Sequence, residues 1–302
     1  MPMNFEADAI AAAQDLREQH PSQTGRDLPA LTLHQLRQQL RPGQQQMADW
    51  QGGQLAVSAV PGAGKSTGMA GAAAVAIARH QLHARRQLIV VTFTRSAAAN
   101  LKIKIRQRLR ELRLPQTGFV VYTLHGLALN IATRHPELSG LSLETATLVS
   151  PNQSHRLIRT CVEKWIADNP RLYRTLLESG SFDGEETERL RRQSVLRAEV
   201  LPALANTVIH EAKSSGVLPS QLREMAQTLI TDGDTDPGVL AIAAGLYEHY
   251  QTVLRSRDLI DYDDMILGAM RVLEDVHARQ VWQSQVFAVF EDEAQDSNPP
   301  AK

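Results

Sequence analysis

A short glycine-containing turn between an apolar run and a helix-forming run is well suited to hold a phosphate. It follows the pattern GxxxxGK[ST], with Ala59 in place of the first glycine. Small residues let backbone N–H groups turn inward around a phosphate, and the N-terminus of the following helix adds its dipole. Lys65 would reach the β- and γ-phosphates, and the Ser66 hydroxyl would ligate Mg²⁺. The predicted nucleotide-binding loop comprises Ala59, Val60, Pro61, Gly62, Ala63, Gly64, Lys65, Ser66 and Thr67.

An acidic cluster near residue 290 could complete a nucleotide site. The sequence VFAVFEDEAQD, residues 286–296, is an apolar strand-like run that leads directly into carboxylates. Asp292 would hold Mg²⁺, directly or through water, and Glu293 would orient and deprotonate an attacking water. A solvated acidic strand end is the alternative for this cluster, and an ordinary glycine-rich turn is the alternative for the loop. The presence of both motifs in one chain favours a nucleotide site.

The elements that must position these residues alternate along the chain. Short β-branched or aromatic runs occupy 54–60, 87–93, 119–123 and 285–290, and helix-forming stretches follow the first three at 65–79, 95–113 and 124–134. This alternation predicts a parallel sheet covered on both faces. Between about 136 and 255 the pattern is amphipathic and helical, with no strand pattern of that quality. We therefore predict an α/β fold interrupted by a large all-helical insertion.

Composition limits the class of protein. The net charge is −1, so a basic surface for a polyanion must be local. The single cysteine, Cys161, excludes an internal disulfide framework and fits a reducing compartment. The N-terminal sequence MPMNFEADAI has no secretory pattern, and no run reaches the roughly 18 apolar residues of a membrane span. We expect a soluble, cytoplasmic protein without a membrane partner.

Five segments occur in a fixed order: AVPGAGKS, VTFTRSAAANLKIKI, YTLHGLALNI, LIDYDDMI and DEAQDSN. In this order they resemble the motifs of superfamily 1 DNA helicases of the UvrD/Rep/PcrA type. The resemblance covers most of the α/β portion and implies a RecA-like P-loop NTPase domain of a 3′-to-5′ DNA translocase that uses ATP and Mg²⁺. It implies a helical lead-in at 1–50, a RecA-like domain divided between 51–135 and 256–302, and an inserted helical subdomain at 136–255.

The same resemblance implies roles for residues at the nucleotide. Gln44 matches an adenine-reading glutamine, although the neighbouring Gln45 and Gln46 leave the register open. Gln295 matches a glutamine that senses the nucleotide. The catalytic and Mg²⁺-binding positions of the family match Lys65, Ser66, Asp292 and Glu293.

A path for single-stranded DNA is also implied. The matching residues are Thr92, Phe93, Thr94, Arg95, Thr123 and His125. Arg95 stands where asparagine is usual, and Leu124 where phenylalanine is usual. Independently, the helix after Thr94 carries six basic residues beside a predicted buried stripe of Leu101, Ile105, Leu109 and Leu112. Such a face is either solvated or a sequence-independent phosphate-binding surface, and the preceding VTFT favours DNA.

The sequence stops soon after the second nucleotide motif. In the family, more of the first domain follows, and a second RecA-like domain supplies arginines in cis. We therefore expect a sheet that is incomplete at the C-terminus and a missing second domain. The function expected by family is an ATP-dependent DNA helicase, represented by an N-terminal module without unwinding activity of its own. The alternative is a truncated nucleotide- and DNA-binding remnant without helicase activity.

Overall fold

A three-stranded parallel sheet organises the α/β part of the molecule. The computed structural model describes residues 32–142, 145–178, 186–231 and 237–296. The strands in these ranges are β1 (Gln87–Thr92), β2 (Phe119–Thr123), β3 (Thr147–Leu148), β4 (Leu259–Ile260) and β5 (Val286–Glu291). The spatial order of the main sheet is β2-β1-β5, with β1 central and almost entirely buried. A strand covered on both faces requires the unbroken apolar run that LIVV supplies.

Strand register brings the carboxyl ends of the three strands to one edge. Thr92 pairs with Thr123 on one side of β1, and Val91 pairs with Glu291 on the other. The ladder continues past the end of β5, where the Asp292 N–H donates to the Val91 carbonyl at 2.8 Å. Residues that follow the strands therefore share one edge of the sheet.

Helices pack on both faces of this sheet. Those between residues 33 and 139 are α1 (Leu33–Gln38), α2 (Pro42–Ala48), α3 (Lys65–Arg79), α4 (Arg95–Glu111), α5 (Leu124–Arg134) and the short α6 (Pro136–Ser139). Hydroxyls fix two starts: Thr94 accepts from the Ala97 N–H before α4, and Thr123 accepts from the Gly126 N–H before α5. Buried Leu101, Ile105 and Leu109 hold α4 on the core, as the sequence predicts.

The block between α6 and β4 is helical apart from β3. It comprises α7 (Pro151–Asp168), α8 (Pro170–Glu178), α9 (Glu186–Val195), a π-helical turn (Leu196–Val200), α10 (Leu201–Ser214), α11 (Pro219–Thr231) and α12 (Pro237–Ser256). Its own apolar core includes Trp165, Tyr247 and Tyr250. Buried Cys161 packs in this core. The two-residue β3, which pairs with β4, is a strand that the helical prediction for this block did not include.

Two helices return the chain to the main sheet. They are α13 (Tyr262–Glu274) and α14 (Val276–Gln285), after which β5 begins. Asp261 caps α13 by accepting from the Asp264 N–H at 2.9 Å, so the aspartates of this segment start a helix.

The predicted helices at 65–79 and 124–134 are confirmed, and the helix predicted at 95–113 ends at Glu111. The predicted strand at 54–60 is wrong. This segment lies outside every strand of the described ranges, and Leu55 is 55% exposed. A strand requires a hydrogen-bonded neighbour as well as β-branched residues, and no described strand pairs with this segment.

The described part of the chain is a helix-rich α/β structure with a small parallel sheet. Residues 1–31 of the predicted lead-in and the last six residues lie outside the described ranges. Among the described helices, none combines the length and apolar character needed to cross a bilayer.

We expect Gly118→Ala to destabilise the fold far more than Gly216→Ala. Both glycines have positive φ, which costs a residue with a Cβ about 1–2 kcal/mol. A Cβ on Gly118 would also lie 2.4 Å from the Leu82 carbonyl oxygen, whereas nothing lies within 4 Å of one on Gly216. Urea unfolding should give a loss of about 3 kcal/mol or more for Gly118→Ala. Equal losses in the two variants would contradict the close approach of these backbones.

Candidate functional site

The loop before α3 has the backbone of an anion-binding turn. Gly62 and Gly64 have φ of 81° and 84°, values that favour glycine, and Gly64 directly precedes the helix. No side chain caps α3, and its first turn contains no acidic residue. Lys65, Ser66 and Thr67 begin the helix and are partly exposed, while Val60 and Pro61 are exposed. The N–H groups at this helix start are therefore suited to an anion.

Gln44 supports this loop from α2. Its amide nitrogen donates to the Gly64 carbonyl at 3.0 Å, and its amide oxygen accepts from the Arg41 N–H at 3.1 Å. The Arg41 guanidinium donates to the Ala63 carbonyl at 3.3 Å. The structure thus brings Gln44 to the loop, while Gln45 donates to the Leu40 carbonyl.

Two glycines in α3 allow α2 and the preceding Leu40 to approach. A Cβ on Gly68 would lie 2.9 Å from Cγ of Gln44, and one on Gly71 would lie 3.0 Å from the methyl groups of Leu40. Sequence reasoning missed Arg41 and both glycines as parts of the site. The signal available was the GxxG spacing at 68–71, which is typical of a helix face in close contact.

The acidic motif lies against the loop. Lys65 Nζ is 2.9 Å from Glu293 Oε2, although 228 residues separate them in the chain. The Gln295 amide donates to the same oxygen at 2.6 Å. These two contacts lower the pKa of Glu293, with the Gln295 hydrogen bond contributing most. Glu293 has φ of 59°, which is uncommon for a residue with a side chain and frequent near functional sites.

Asp292 lies deeper than Glu293. It is 9% exposed, and burial raises its pKa, with the negative charge of Glu293 adding to the effect. Lys65 and Lys104 act in the opposite direction. A buried carboxylate beside a second carboxylate is chemically suited to bind a divalent cation. The cation offsets both the cost of burying the negative charge and the repulsion between the two carboxylates.

The residues of the predicted DNA path gather at the carboxyl edge of β1 and β2. Phe93 is 53% exposed and Arg95 is also exposed, whereas Thr92 is buried. Sequence reasoning missed that the Thr94 and Thr123 hydroxyls are engaged as helix caps, although both precede helix-forming runs.

His125 is half-buried at this edge. Its ring meets that of Tyr262 edge-to-face, with 4.8 Å between centroids. Burial lowers the pKa of His125, and the nearby Asp263 opposes this shift. The imidazole is therefore biased towards its neutral form, which can both donate and accept a hydrogen bond.

Comparison with known proteins identifies the fold family of this arrangement. The family model of the UvrD/REP helicase N-terminal domain matches residues 40–301. The chain is 27% identical over 250 residues to the ATP-dependent DNA helicase SRS2 of Saccharomyces cerevisiae, covering 81% of this chain and 19% of that protein. It is 26% identical over 260 residues to the ATP-dependent DNA helicase Rep of Escherichia coli, covering 86% and 32%.

A third relative extends the comparison to another bacterium. The ATP-dependent DNA helicase UvrD1 of Mycobacterium leprae is 24% identical over 262 residues, covering 86% of this chain and 29% of that protein. The chain thus spans between a fifth and a third of the length of these relatives.

We expect Asp292→Asn to stabilise the protein at neutral pH. A carboxyl whose folded pKa is raised favours folding below its unfolded pKa, and loses that contribution as the pH rises through its folded pKa. At pH 7 the ionised carboxylate therefore opposes folding, and a neutral amide does not. The gain in Tm over the wild type should shrink as the pH falls through the folded pKa. Thermal unfolding of both proteins from neutral to acidic pH measures this gain. A gain in Tm that grows as the pH falls would contradict the prediction.

Proposed function

The chain belongs to the family of UvrD/REP helicase N-terminal domains, and from this premise we propose that it is the ATP- and DNA-binding module of a helicase that translocates 3′-to-5′ along single-stranded DNA. The observation that carries this proposal is the contact between Lys65 and Glu293 at 2.9 Å. It unites a phosphate-type loop with an acidic strand end from the opposite end of the chain. Binding and hydrolysis of a nucleoside triphosphate require both halves.

In the proposed site the loop 59–67 encloses the phosphates through its backbone N–H groups. Lys65 exchanges its contact with Glu293 for the β- and γ-phosphates, since a phosphate carries the greater negative charge. Glu293 is then released to orient the attacking water and accept its proton. Gln295, which now contacts Glu293, is placed beside the reacting phosphate and reports whether it is present.

Mg²⁺ fits the donors available here. Ser66 offers a hydroxyl, and Asp292 offers a buried carboxylate whose pKa is raised. These are the hard oxygen ligands that Mg²⁺ prefers. When bound, the ion supplies neutralisation of the charge that develops on the phosphate oxygens.

We propose that Gln44 recognises the adenine of the nucleotide. Its amide donates to the Gly64 carbonyl of the loop, so a change in the hydrogen bonds of Gln44 would alter the position of the loop. Adenine offers a donor and an acceptor that match an amide. Because the adjoining α2 is closely packed on α3, the amide has little freedom to leave this position.

We propose that single-stranded DNA binds at the carboxyl edge of β1 and β2. Phe93 offers an exposed ring for base stacking, and Arg95 and His125 offer polar contacts, with the capping hydroxyls of Thr94 and Thr123 beside them. Thr92, being buried, would act by supporting the strand end. Exposed basic residues of α4 add sequence-independent attraction for phosphates.

We further propose that 51–135 and 256–302 form one RecA-like domain and that 136–255 is inserted into it. Unwinding by the whole protein is a proposal that extends beyond this segment, because the chain spans at most about a third of its relatives. Family members couple ATP hydrolysis to movement by closure of two domains. The second proposal, a binding module without turnover, predicts nucleotide and DNA binding with no DNA-stimulated hydrolysis.

Lys65→Ala should weaken binding of Mg·ATP by about tenfold or more, because a charge-assisted contact of roughly 1.5–3 kcal/mol is lost. Lys164→Ala removes an equal charge from an exposed position in the helical block and should leave the affinity unchanged. Calorimetric titration measures both. If hydrolysis stimulated by single-stranded DNA is present and Lys65→Ala abolishes it, the enzyme proposal is supported over the binding module. Equal ATP affinity in the wild type and in Lys65→Ala would contradict both the enzyme proposal and the binding-module proposal.

Phe93→Leu should weaken binding of single-stranded DNA about 5- to 150-fold, since stacking of one base contributes about 1–3 kcal/mol. Phe93→Trp keeps a stacking surface and should retain most of the affinity. Fluorescence anisotropy with a labelled oligonucleotide checks both variants. If leucine and tryptophan bind DNA equally well, the ring does not stack on a base.

A further inference from the structure

A cavity of about 330 Å³ lies between the helical block and the α/β part. Its walls come from α7, α10 and α12 on one side and from α5 and the start of α13 on the other. The volume falls at the lower end of the range of small-ligand pockets. The nucleotide site described above does not share any of its lining residues.

The polar groups of the cavity favour a neutral ligand. Within the described chain, no lysine or arginine lines it, so it offers a phosphate no cation. The two carboxylates in its wall already have partners: Asp261 is 2.6 Å from buried Lys213, and Asp263 is 3.1 Å from His210. The cavity therefore has no unpaired charge that would select a charged ligand.

The hydrogen bonds of two histidines define what the cavity can accept. Nδ1 of His155 is 2.9 Å from the Pro151 carbonyl, which can only accept, so this nitrogen carries the proton. Nδ1 of His210 likewise lies 3.1 Å from a carboxylate oxygen of Asp263, which accepts. In the tautomer that places the proton on Nδ1, Nε2 of each ring is an acceptor. Two acceptors and the amide of Asn206 suit a ligand with N–H donors.

The cavity also presents flat surfaces. The rings of Tyr262 and His125 meet edge-to-face in its wall. Tyr250 is buried and supports this wall, with its hydroxyl hydrogen-bonded to Ser154 and Asp261. Val149 and Ile158 add apolar contacts. Flat, partly apolar walls with acceptors at the rim are suited to a planar heterocycle with an amino group.

We propose that this cavity binds one base of the single strand and prefers a base with an exocyclic amino group. This inference rests on the proposed DNA path, because His125 belongs both to that path and to the cavity wall. Cytosine, adenine and guanine carry amino donors, whereas thymine has none. Recognition of an unstacked base through its edge and through aromatic stacking is common in single-strand binding.

Anisotropy titrations at neutral pH with oligo-dC and oligo-dT of equal length test the proposal. The wild type should bind oligo-dC about 2- to 10-fold more tightly, the ratio that corresponds to one net hydrogen bond. In His155→Phe and His210→Phe, which keep a ring but lose the acceptor, the ratio should fall towards one. His277→Phe makes the same change on exposed α14, outside the cavity, and should keep the wild-type ratio. The Mg·ATP affinity of each variant reports whether its fold is retained.

Each other result has a distinct meaning. Tight binding of both oligonucleotides without preference overturns the cavity assignment and leaves the proposed DNA binding intact. A preference that survives both His155→Phe and His210→Phe also overturns it. Failure to bind either oligonucleotide overturns the DNA proposal and this one together. If free deoxycytidine binds as tightly as the strand, the cavity is a nucleoside site and the assignment to a strand base is wrong.

Discussion

The parallel pairing of β1 with its two neighbours determines where the candidate functional residues that follow these strands lie. Since the three strands run in the same direction, their carboxyl ends meet at one edge, and the Asp292 N–H extends the ladder to Val91. If β5 paired with β1 one residue out of register, the side chains of Asp292 and Glu293 would each point to the face opposite to their present one. The register of this pair thus decides whether Glu293 meets Lys65. The same edge carries Phe93, so the residues proposed for the nucleotide and for DNA occupy neighbouring positions on it.

A second constraint fixes the helical block to this edge. Lys213 of α10 is fully buried and contacts Asp261 and Asp264, which begin α13. Burial opposes ionisation of Asp261, but the charge and hydrogen bond of Lys213 outweigh it and hold its pKa below the usual range. Removing Lys213 would leave two buried carboxylates without their cation, and loss of one member of a buried pair costs about 3–5 kcal/mol. The arrangement therefore strongly favours one orientation of α10 against α13, the geometry on which the cavity beside His125 depends.

Local patterns predicted much of this structure, and long-range contacts account for most of what they missed. The helices at 65–79 and 124–134 follow from short-range patterns, and the loop at 59–67 follows from its glycines. The caps at Thr94 and Thr123 were missed, although both residues directly precede helix-forming runs. The strand at 54–60 was wrong because β-propensity does not reveal whether a partner strand lies alongside. Likewise, a local pattern gives no sign that Lys213 is buried, since its two acidic partners lie some 50 positions away. The predicted roles of Gln44 and of the DNA residues stay predictions, although the positions of their side chains are now defined.

The contact between Lys65 and Glu293 has a consequence for the order of events at the proposed nucleotide site. In the described structure the candidate base is bound to the candidate phosphate-binding lysine, and its pKa is lowered. The hydrogen bond from Gln295 and, second to it, the contact with Lys65 stabilise the ionised carboxylate, which makes it a poor proton acceptor. A triphosphate that takes Lys65 removes the part of this stabilisation that Lys65 supplies and so raises the basicity of Glu293. The strained backbone at Glu293, with φ of 59°, also favours a change of conformation on release. Arrival of the nucleotide would thus activate the base that acts on it.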